Sequence, residues 1–219
     1  AAQILASTTG AGNITVDMAE ITLDDGSTQA KEITLDDVST QAKGTLTINK
    51  DKRLNVGNGT NDTATISSFN AVELKGGTLD LNGAGSSINN LTVNTDASTL
   101  STRNVGRGHQ DYQLLGTTTL NADLKLTAFD GEHGNVIIKN LTGTKNLSVE
   151  HTGYWGVIKA KIEKMTDYSG TITVSKSDLT TSYNNSVEFG VEDKQIVKVS
   201  LNTSRPLIFD DVVVRVHET

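Results

Sequence analysis

The fold of this chain is predicted first from the stretch Val72-Glu73-Leu74-Lys75-Gly76-Gly77-Thr78-Leu79-Asp80-Leu81-Asn82-Gly83. Apolar residues alternate with polar ones on both sides of a Gly-Gly pair, and Asn82-Gly83 supplies a second turn signal. Alternation at a period of two is typical of a strand with one buried face. Neighbouring glycines let the backbone turn through positive φ without a steric penalty. The stretch therefore predicts strand, corner, strand, corner.

The same pattern returns along the chain after about two dozen residues. Leu46 and Ile48 recur as Val72 and Leu74, Leu54 and Val56 recur as Leu79 and Leu81, and Ile66 recurs as Leu91. Three short strands per period, separated by polar corners, predict an all-β, right-handed parallel β-helix with aliphatic side chains stacked inside. An antiparallel β-sandwich also has short strands at this spacing and is the alternative.

Composition narrows the core and excludes several classes of function. The 219 residues include 20 Gly, one Pro and only 4% aromatic residues, so narrow stacks of Leu, Ile, Val and Ala must form the core. Cysteine is absent, which excludes disulfides, cysteine-ligated zinc and thiol nucleophiles. The net charge of −7 argues against nucleic-acid partners. No apolar run reaches membrane-spanning length, so no membrane insertion of this segment is expected.

A tandem repeat marks the N-terminal third of the chain. Residues 20–31 are followed at once by residues 32–43, and the two copies differ only at Gly26 and Val38. A stacked fold accepts such a module more easily than a closed barrel. We expect β-helix rungs over residues 1–155, including this repeat, and a continuing, looser β region or C-terminal cap over residues 156–219. The polar residues 100–112 are predicted to form a loop that leaves the stack, and residues 157–165 a strand.

Acidic corners are the candidate metal site. Asp24 and Asp25 in the first copy, and Asp36 and Asp37 in the second, follow equivalent strands. If the copies stack, their carboxylates face one another at strand spacing, where Ca²⁺ would relieve the repulsion. Aspartate also favours turns on a solvated face without any metal. No cofactor other than Ca²⁺ is expected.

Two Gly-flanked loops are the candidate ligand-binding site. Arg107, His109, Asp111 and Tyr112 share one polar segment, and Tyr154 and Trp155 share another. The aromatic pair could stack on the face of a sugar ring while Arg and Asp bind its hydroxyls. The competing interpretation is that Trp155 caps one end of the aliphatic stack.

Catalytic residues remain unknown from the sequence. Motifs of serine hydrolases, aspartic proteases and His-Glu-x-x-His metalloproteases are absent. With 26 acidic residues, carboxylate pairs arise by chance. The enzyme hypothesis would gain if three or more of the following loop residues converged in one groove: Arg107, Asp111, Asp130, Glu132 and His133.

Three sequence segments resemble autotransporter-associated β-strand repeats. They are Gly44-Thr45-Leu46-Thr47-Ile48, the stretch from Gly76 to Gly83, and Asp167-Tyr168-Ser169-Gly170-Thr171-Ile172-Thr173-Val174. The resemblance covers residues 44–176 and is to passenger regions of large exported proteins of Gram-negative and related bacteria. It implies a parallel β-helix at, or released from, the cell surface and associated with the outer membrane. No membrane-barrel translocator follows Val216, so a fragment or a relative secreted by another route is expected.

The leading functional hypothesis is a non-catalytic extracellular β-helix segment. Its loops would bind host glycans, mucin-like glycoproteins or proteins. The alternative is a secreted hydrolase or lyase that degrades polysaccharide or mucin with carboxylates on one face, which is an analogy at the level of fold.

Overall fold

A computed structural model gives the fold for most of the chain between residues 44 and 202 and for the backbone of four shorter N-terminal strands. The described residues are 7–9, 14–16, 20–23, 34–36, 44–57, 66–67, 69–81, 87–102, 111–128, 133–151, 158–175, 186–189 and 198–202. Regular structure in these residues is entirely β, with no helix in any of these ranges.

The described residues form nineteen strands, numbered in chain order. They are β1 (Ser7–Thr9), β2 (Ile14–Val16), β3 (Glu20–Leu23), β4 (Thr34–Asp36), β5 (Thr45–Ile48), β6 (Arg53–Val56), β7 (Ala71–Leu74), β8 (Thr78–Leu81), β9 (Ser87–Ile88), β10 (Asn90–Val93), β11 (Ser98–Thr102), β12 (Asp111–Leu120), β13 (Leu124–Ala128), β14 (Gly134–Gly143), β15 (Leu147–Val149), β16 (Ile158–Ile162), β17 (Thr171–Ser175), β18 (Ser186–Phe189) and β19 (Lys198–Asn202).

The strands stack in three columns, as the predicted rung requires. The first column runs through β2, β5, β7, β10 and the second halves of β12 and β14. The second runs through β3, β6, β8, β11, β13, β15, β17 and β19. The third contains β9, the first halves of β12 and β14, then β16 and β18. A register irregularity between Leu114 and Thr117 marks where β12 passes from the third column to the first.

All strand pairs among the described residues are parallel, which confirms the β-helix and rules out the antiparallel sandwich. Leu46 lies in register with Val72 and Leu54 with Leu79, as the sequence period predicts. Aliphatic side chains from successive rungs therefore stack directly over one another. In the second column the buried stack is Leu54, Leu79, Leu100, Leu126, Val149 and Val174.

One predicted equivalence is wrong. Leu91 does not follow Ile66 in a column; it lies in register with Val72 in the first column. That rung is short because only residues 82–89 connect β8 to β10, whereas residues 57–70 connect β6 to β7. Rung length varies with the connections, so a fixed period places the next strand wrongly.

The predicted Gly-Gly corner forms between β7 and β8. Gly76 has φ +95°, a conformation that side chains disfavour. A Cβ on Gly77 would lie 2.5 Å from Ile48 Cγ2 and 2.6 Å from Asn49 O, so the corner packs directly on the rung below. Gly76 is needed for its positive φ, and Gly77 is needed because its backbone lies too close to the rung below for a side chain.

Of the two remaining local predictions, the strand is confirmed and the loop is shorter than predicted. Residues 157–165 contain β16, so the choice of strand over helix is confirmed. The predicted loop 100–112 is too long at both ends, because residues 100–102 belong to β11 and residues 111–112 to β12. The second and third columns both continue past position 155 into β16 and β17.

Connections differ strongly between the three corners of the described rungs. Three or four residues join the first column to the second, as in 49–52, 75–77 and 121–123. One or two residues join the third column to the first, as at 89, 115–116 and 139. Five to ten residues join the second column to the third: 82–86, 103–110, 129–133, 150–157 and 176–185. We call this last position the insertion corner.

Candidate functional site

The predicted binding loops all belong to the insertion corner. Segment 103–110 contains Arg107 and His109, segment 129–133 contains Asp130 and Glu132, and segment 150–157 contains Tyr154 and Trp155. The ends of these segments lie on neighbouring rungs. Thr102 is in register with Ala128, Asp111 with Asn135, and Gly134 with Ile158. Neighbouring strands are about 4.8 Å apart, so three successive segments leave the helix close together.

The binding groups themselves are not described. Arg107, His109, Tyr154 and Trp155 lie outside the described residues, as do Asp130 and Glu132. Asp111 and Tyr112 have described backbone in β12 but no described side chains. His133 is partly buried just before β14. Convergence of these groups in one groove stays a prediction, as does the alternative that Trp155 caps the stack.

The described strands of the two repeat copies do not pair with each other, although the calcium hypothesis requires the copies to stack. β3 from the first copy pairs with β6, whereas β4 from the second copy pairs with β1. The described strands of the two copies thus lie in different sheets and are not stacking partners. Asp24, Asp25 and Asp37 lie outside the described residues, and only the backbone of Asp36 is described. The described residues contain no group of three or more His, Cys, Asp or Glu side chains suited to a metal.

Polar side chains connect four rungs along the outside of the first column. Thr47 Oγ1 donates to Glu73 Oε1 at 3.5 Å, and Asn94 Nδ2 donates to Glu73 Oε2 at 2.7 Å. Asn121 Nδ2 then donates to Asn94 Oδ1 at 2.8 Å. Lys75 Nζ lies 3.5 Å from Glu73 Oε1. Glu73 is therefore a bridging acceptor between rungs, and its carboxylate is already engaged.

Other surface acids are engaged in the same way. Lys139 Nζ lies 3.2 Å from a Glu163 carboxylate oxygen, and Lys125 Nζ lies 3.9 Å from Glu150 Oε1. Each pair joins a residue of one rung to a residue of the next or of the adjoining corner. These half-exposed pairs contribute little to stability.

An ion pair between Arg53 and Asp80 is the most buried charged feature described. Asp80 lies between Leu79 and Leu81 on β8, and these two leucines face the core. Asp80 is therefore at an outward position of the strand, yet its side chain is 0% exposed. Arg53 Nε makes the ion pair with Asp80 Oδ2 and also donates to Asn55 Oδ1 at 3.3 Å. Because Asp80 is enclosed, this pair holds β6 and β8 together and offers no exposed acid.

Sequence reasoning missed both polar networks. Thr47, Glu73, Asn94 and Asn121 are separated by 26, 21 and 27 positions, so no fixed spacing links them. One signal in the sequence could have pointed to the ion pair. Arg53 and Asp80 carry opposite charges at polar positions of the alternating strands β6 and β8, which are neighbours.

Tyr168 is a buried tyrosine at the corner that precedes β17. Its hydroxyl donates to the carbonyl oxygen of Lys145 at 2.7 Å, and only 2% of the residue is exposed. Burial raises the pKa of Tyr168 above its ordinary value, and the negative charge of Asp123 raises it further. A backbone hydrogen bond at Leu147 acts in the opposite direction. The tyrosine therefore keeps its proton in the folded protein at pH values where an exposed tyrosine loses it.

Changing Tyr168 to phenylalanine is expected to reduce the loss of stability at high pH. Above about pH 10 the unfolded chain loses the tyrosine proton while the folded protein keeps it, so the free energy of unfolding falls by up to about 1.4 kcal/mol per pH unit. Urea unfolding of both proteins at pH 8 and pH 11 measures this contribution. At pH 8 the variant should be about 1 kcal/mol less stable, since the Lys145 carbonyl loses its donor. An equal pH dependence in both proteins would contradict the assignment.

Comparison with known proteins gives one partial match. Residues 145–219 match the family model of phosphate propanoyltransferase, and these 75 of 219 residues are about a third of the chain. No curated protein matches, and no solved structure matches. The described residues include no helix with the length and apolar character needed to span a membrane.

Proposed function

We propose that this chain is a non-catalytic β-helix segment, at the cell surface or outside the cell, that presents loops for binding. Its partners would be host glycans, mucin-like glycoproteins or proteins. The observation that supports this proposal is the insertion corner. Two corners of the described rungs are closed by one to four residues, while the third accommodates five to ten on successive rungs. Variable loops on a rigid scaffold are a common arrangement for recognition.

The spacing of the insertions suits an extended ligand. Segments 103–110, 129–133 and 150–157 leave adjacent rungs, so their loops are anchored side by side along the helix axis. Arg107, His109, Asp111 and Tyr112 would supply hydrogen bonds and charge at one anchor. Tyr154 and Trp155 would supply an aromatic surface on which a sugar ring stacks. A chain of sugars lying along the corner could meet both groups.

Several of the described acids form ion pairs, which is compatible with a binding role. Glu73, Glu150 and Glu163 each lie beside a lysine, and Asp80 is enclosed with Arg53. A hydrolase or lyase needs carboxylates that are free to exchange protons. The match to phosphate propanoyltransferase covers a third of the chain, and we assign no activity from it.

A glycan array with purified protein tests the proposal. We expect binding by the wild type, and about a tenfold or greater loss of affinity in Trp155→Ala, because central aromatic contacts carry much of a binding energy. The matched control is Lys145→Ala, an exposed residue at the first-to-second corner, which should bind like the wild type. Circular dichroism and urea unfolding confirm that both variants fold. Equal binding by Trp155→Ala would exclude the aromatic site, and no binding by the wild type to any glycan or mucin would exclude glycans and mucin-like glycoproteins as partners.

A further inference from the structure

The two copies of the twelve-residue repeat occupy different positions in the fold although their sequences are almost identical. Copy one, residues 20–31, supplies β3, where Ile21 is in register with Leu54 and Leu23 with Val56. Copy two, residues 32–43, supplies β4, which pairs with β1 in a separate two-stranded sheet. The same Glu-Ile-Thr-Leu sequence thus begins both copies, and only one copy lies against β6.

We infer that either copy can occupy the strand position beside β6, so that the N-terminal end of the helix has two arrangements. In the second arrangement Ile33, Thr34 and Leu35 take the register positions of the corresponding residues of copy one. The contacts between this strand and β6 would be the same in both arrangements, because the side chains are the same. The strand sequence therefore gives no preference for either copy.

The offset of twelve residues preserves the inward and outward positions. A strand that slips by one residue turns its buried side chains towards solvent. Ile33 and Leu35 are identical to Ile21 and Leu23, so exchanging the copies keeps apolar residues opposite Leu54 and Val56, which are both fully buried. The usual cost that fixes strand register is absent for this exchange.

The chain is also long enough for the second arrangement. With copy two beside β6, the nine residues 36–44 would connect it to β5. Elsewhere in the helix the eight residues 82–89 make the same connection, from β8 in the second column to β10 in the first. Copy one would then lie within a longer connection, residues 17–31, after β2. Two conformations that share their main contacts are expected to coexist, in a ratio set by the remaining contacts.

Disulfide trapping in the full chain tests this inference, because the protein has no cysteine of its own. Thr22 is in register with Asn55, and Thr34 is its counterpart in copy two. Neighbouring parallel strands hold such positions about 4.8 Å apart, within disulfide reach. Thr22→Cys/Asn55→Cys reports the first arrangement and Thr34→Cys/Asn55→Cys the second. After mild oxidation, mass spectrometry of peptides measures each bridge, and both are expected.

Two aspartate variants show whether the copies compete. Ile21→Asp places a charge opposite the buried Leu54 and is expected to raise the ratio of the second bridge to the first about tenfold. Ile33→Asp, the matched change in copy two, is expected to lower it about tenfold. Deleting residues 20–31 leaves copy two directly after Ala19, so the Thr34→Cys/Asn55→Cys bridge should then form in almost every molecule.

The control for chance cross-linking is Thr8→Cys/Asn55→Cys, since Thr8 lies on β1 and pairs with Leu35. The inference is overturned if the second bridge stays at the level of this control while the first bridge forms. It is equally overturned if the deletion variant does not form the bridge or does not fold. The first result would show that copy two does not take the place of copy one, and the second that residues 36–44 cannot connect copy two to β5.

Discussion

Replacing Arg53 with methionine is expected to lower the free energy of unfolding by about 3 kcal/mol. The change leaves the carboxylate of Asp80 fully buried without its guanidinium partner. The Arg53 side chain is 42% exposed, so water already screens part of the attraction and the loss should lie at the lower end of values for buried pairs. Urea unfolding at pH 7, followed by circular dichroism, measures the effect.

Two controls separate burial from charge in that experiment. Lys50→Met removes one partner of the exposed Lys50–Asp96 pair, 3.8 Å apart, and should cost less than about 1 kcal/mol. The double variant Arg53→Met/Asp80→Leu removes both charges of the pair and should recover most of the lost stability. If Arg53→Met costs no more than Lys50→Met, the buried pair does not stabilise the join between β6 and β8.

Changing Leu79 to alanine is expected to cost about 2–5 kcal/mol. Leu79 is 0% exposed and lies in register between Leu54 of the rung before and Leu100 of the rung after. Its removal leaves a cavity that these two neighbours cannot both fill, because each is held by its own strand. Urea unfolding with a constant m-value would report the loss as a change in stability alone.

The matched control is Thr78→Ala, one position away on the same strand but on its outer, partly exposed side. It should cost less than about 1 kcal/mol, because no buried volume is removed. Contacts in a stacked fold join mainly neighbouring rungs, so the damage should be concentrated next to β8. Equal effects of the two substitutions would contradict the stacked aliphatic core.

The architecture could be predicted from the sequence by two local rules. Alternation identifies the inner residues of β7 and β8, and the Gly76-Gly77 pair identifies the corner between them. The length of each rung could not be predicted in the same way. The connection after β8 is six residues shorter than the one after β6, 82–89 against 57–70, and nothing in a local pattern fixes that length. For this reason a fixed period places Leu91 in the wrong column.

The candidate site was predictable as a set of loops but not as a set of contacts. Gly-rich, polar composition predicts a loop over residues 100–112 and another around Tyr154 and Trp155, and only the pairing of strands shows that the two share one corner. The hydrogen bonds of Glu73 with Thr47 and Asn94 depend on which rungs are neighbours. Such contacts appear only after the register is known, since the intervals between the residues differ.

The insertion corner also bears on how this protein can change over time. The first-to-second and third-to-first corners have only a few residues and pack closely on the neighbouring rung, as at Gly77 and Gly116. An inserted residue there would disturb that packing. At the third corner, segments of five to ten residues are accommodated on otherwise similar rungs. The sequence of the insertion corner can therefore change during evolution while the rungs are preserved. A foreign peptide could be grafted at the same corner.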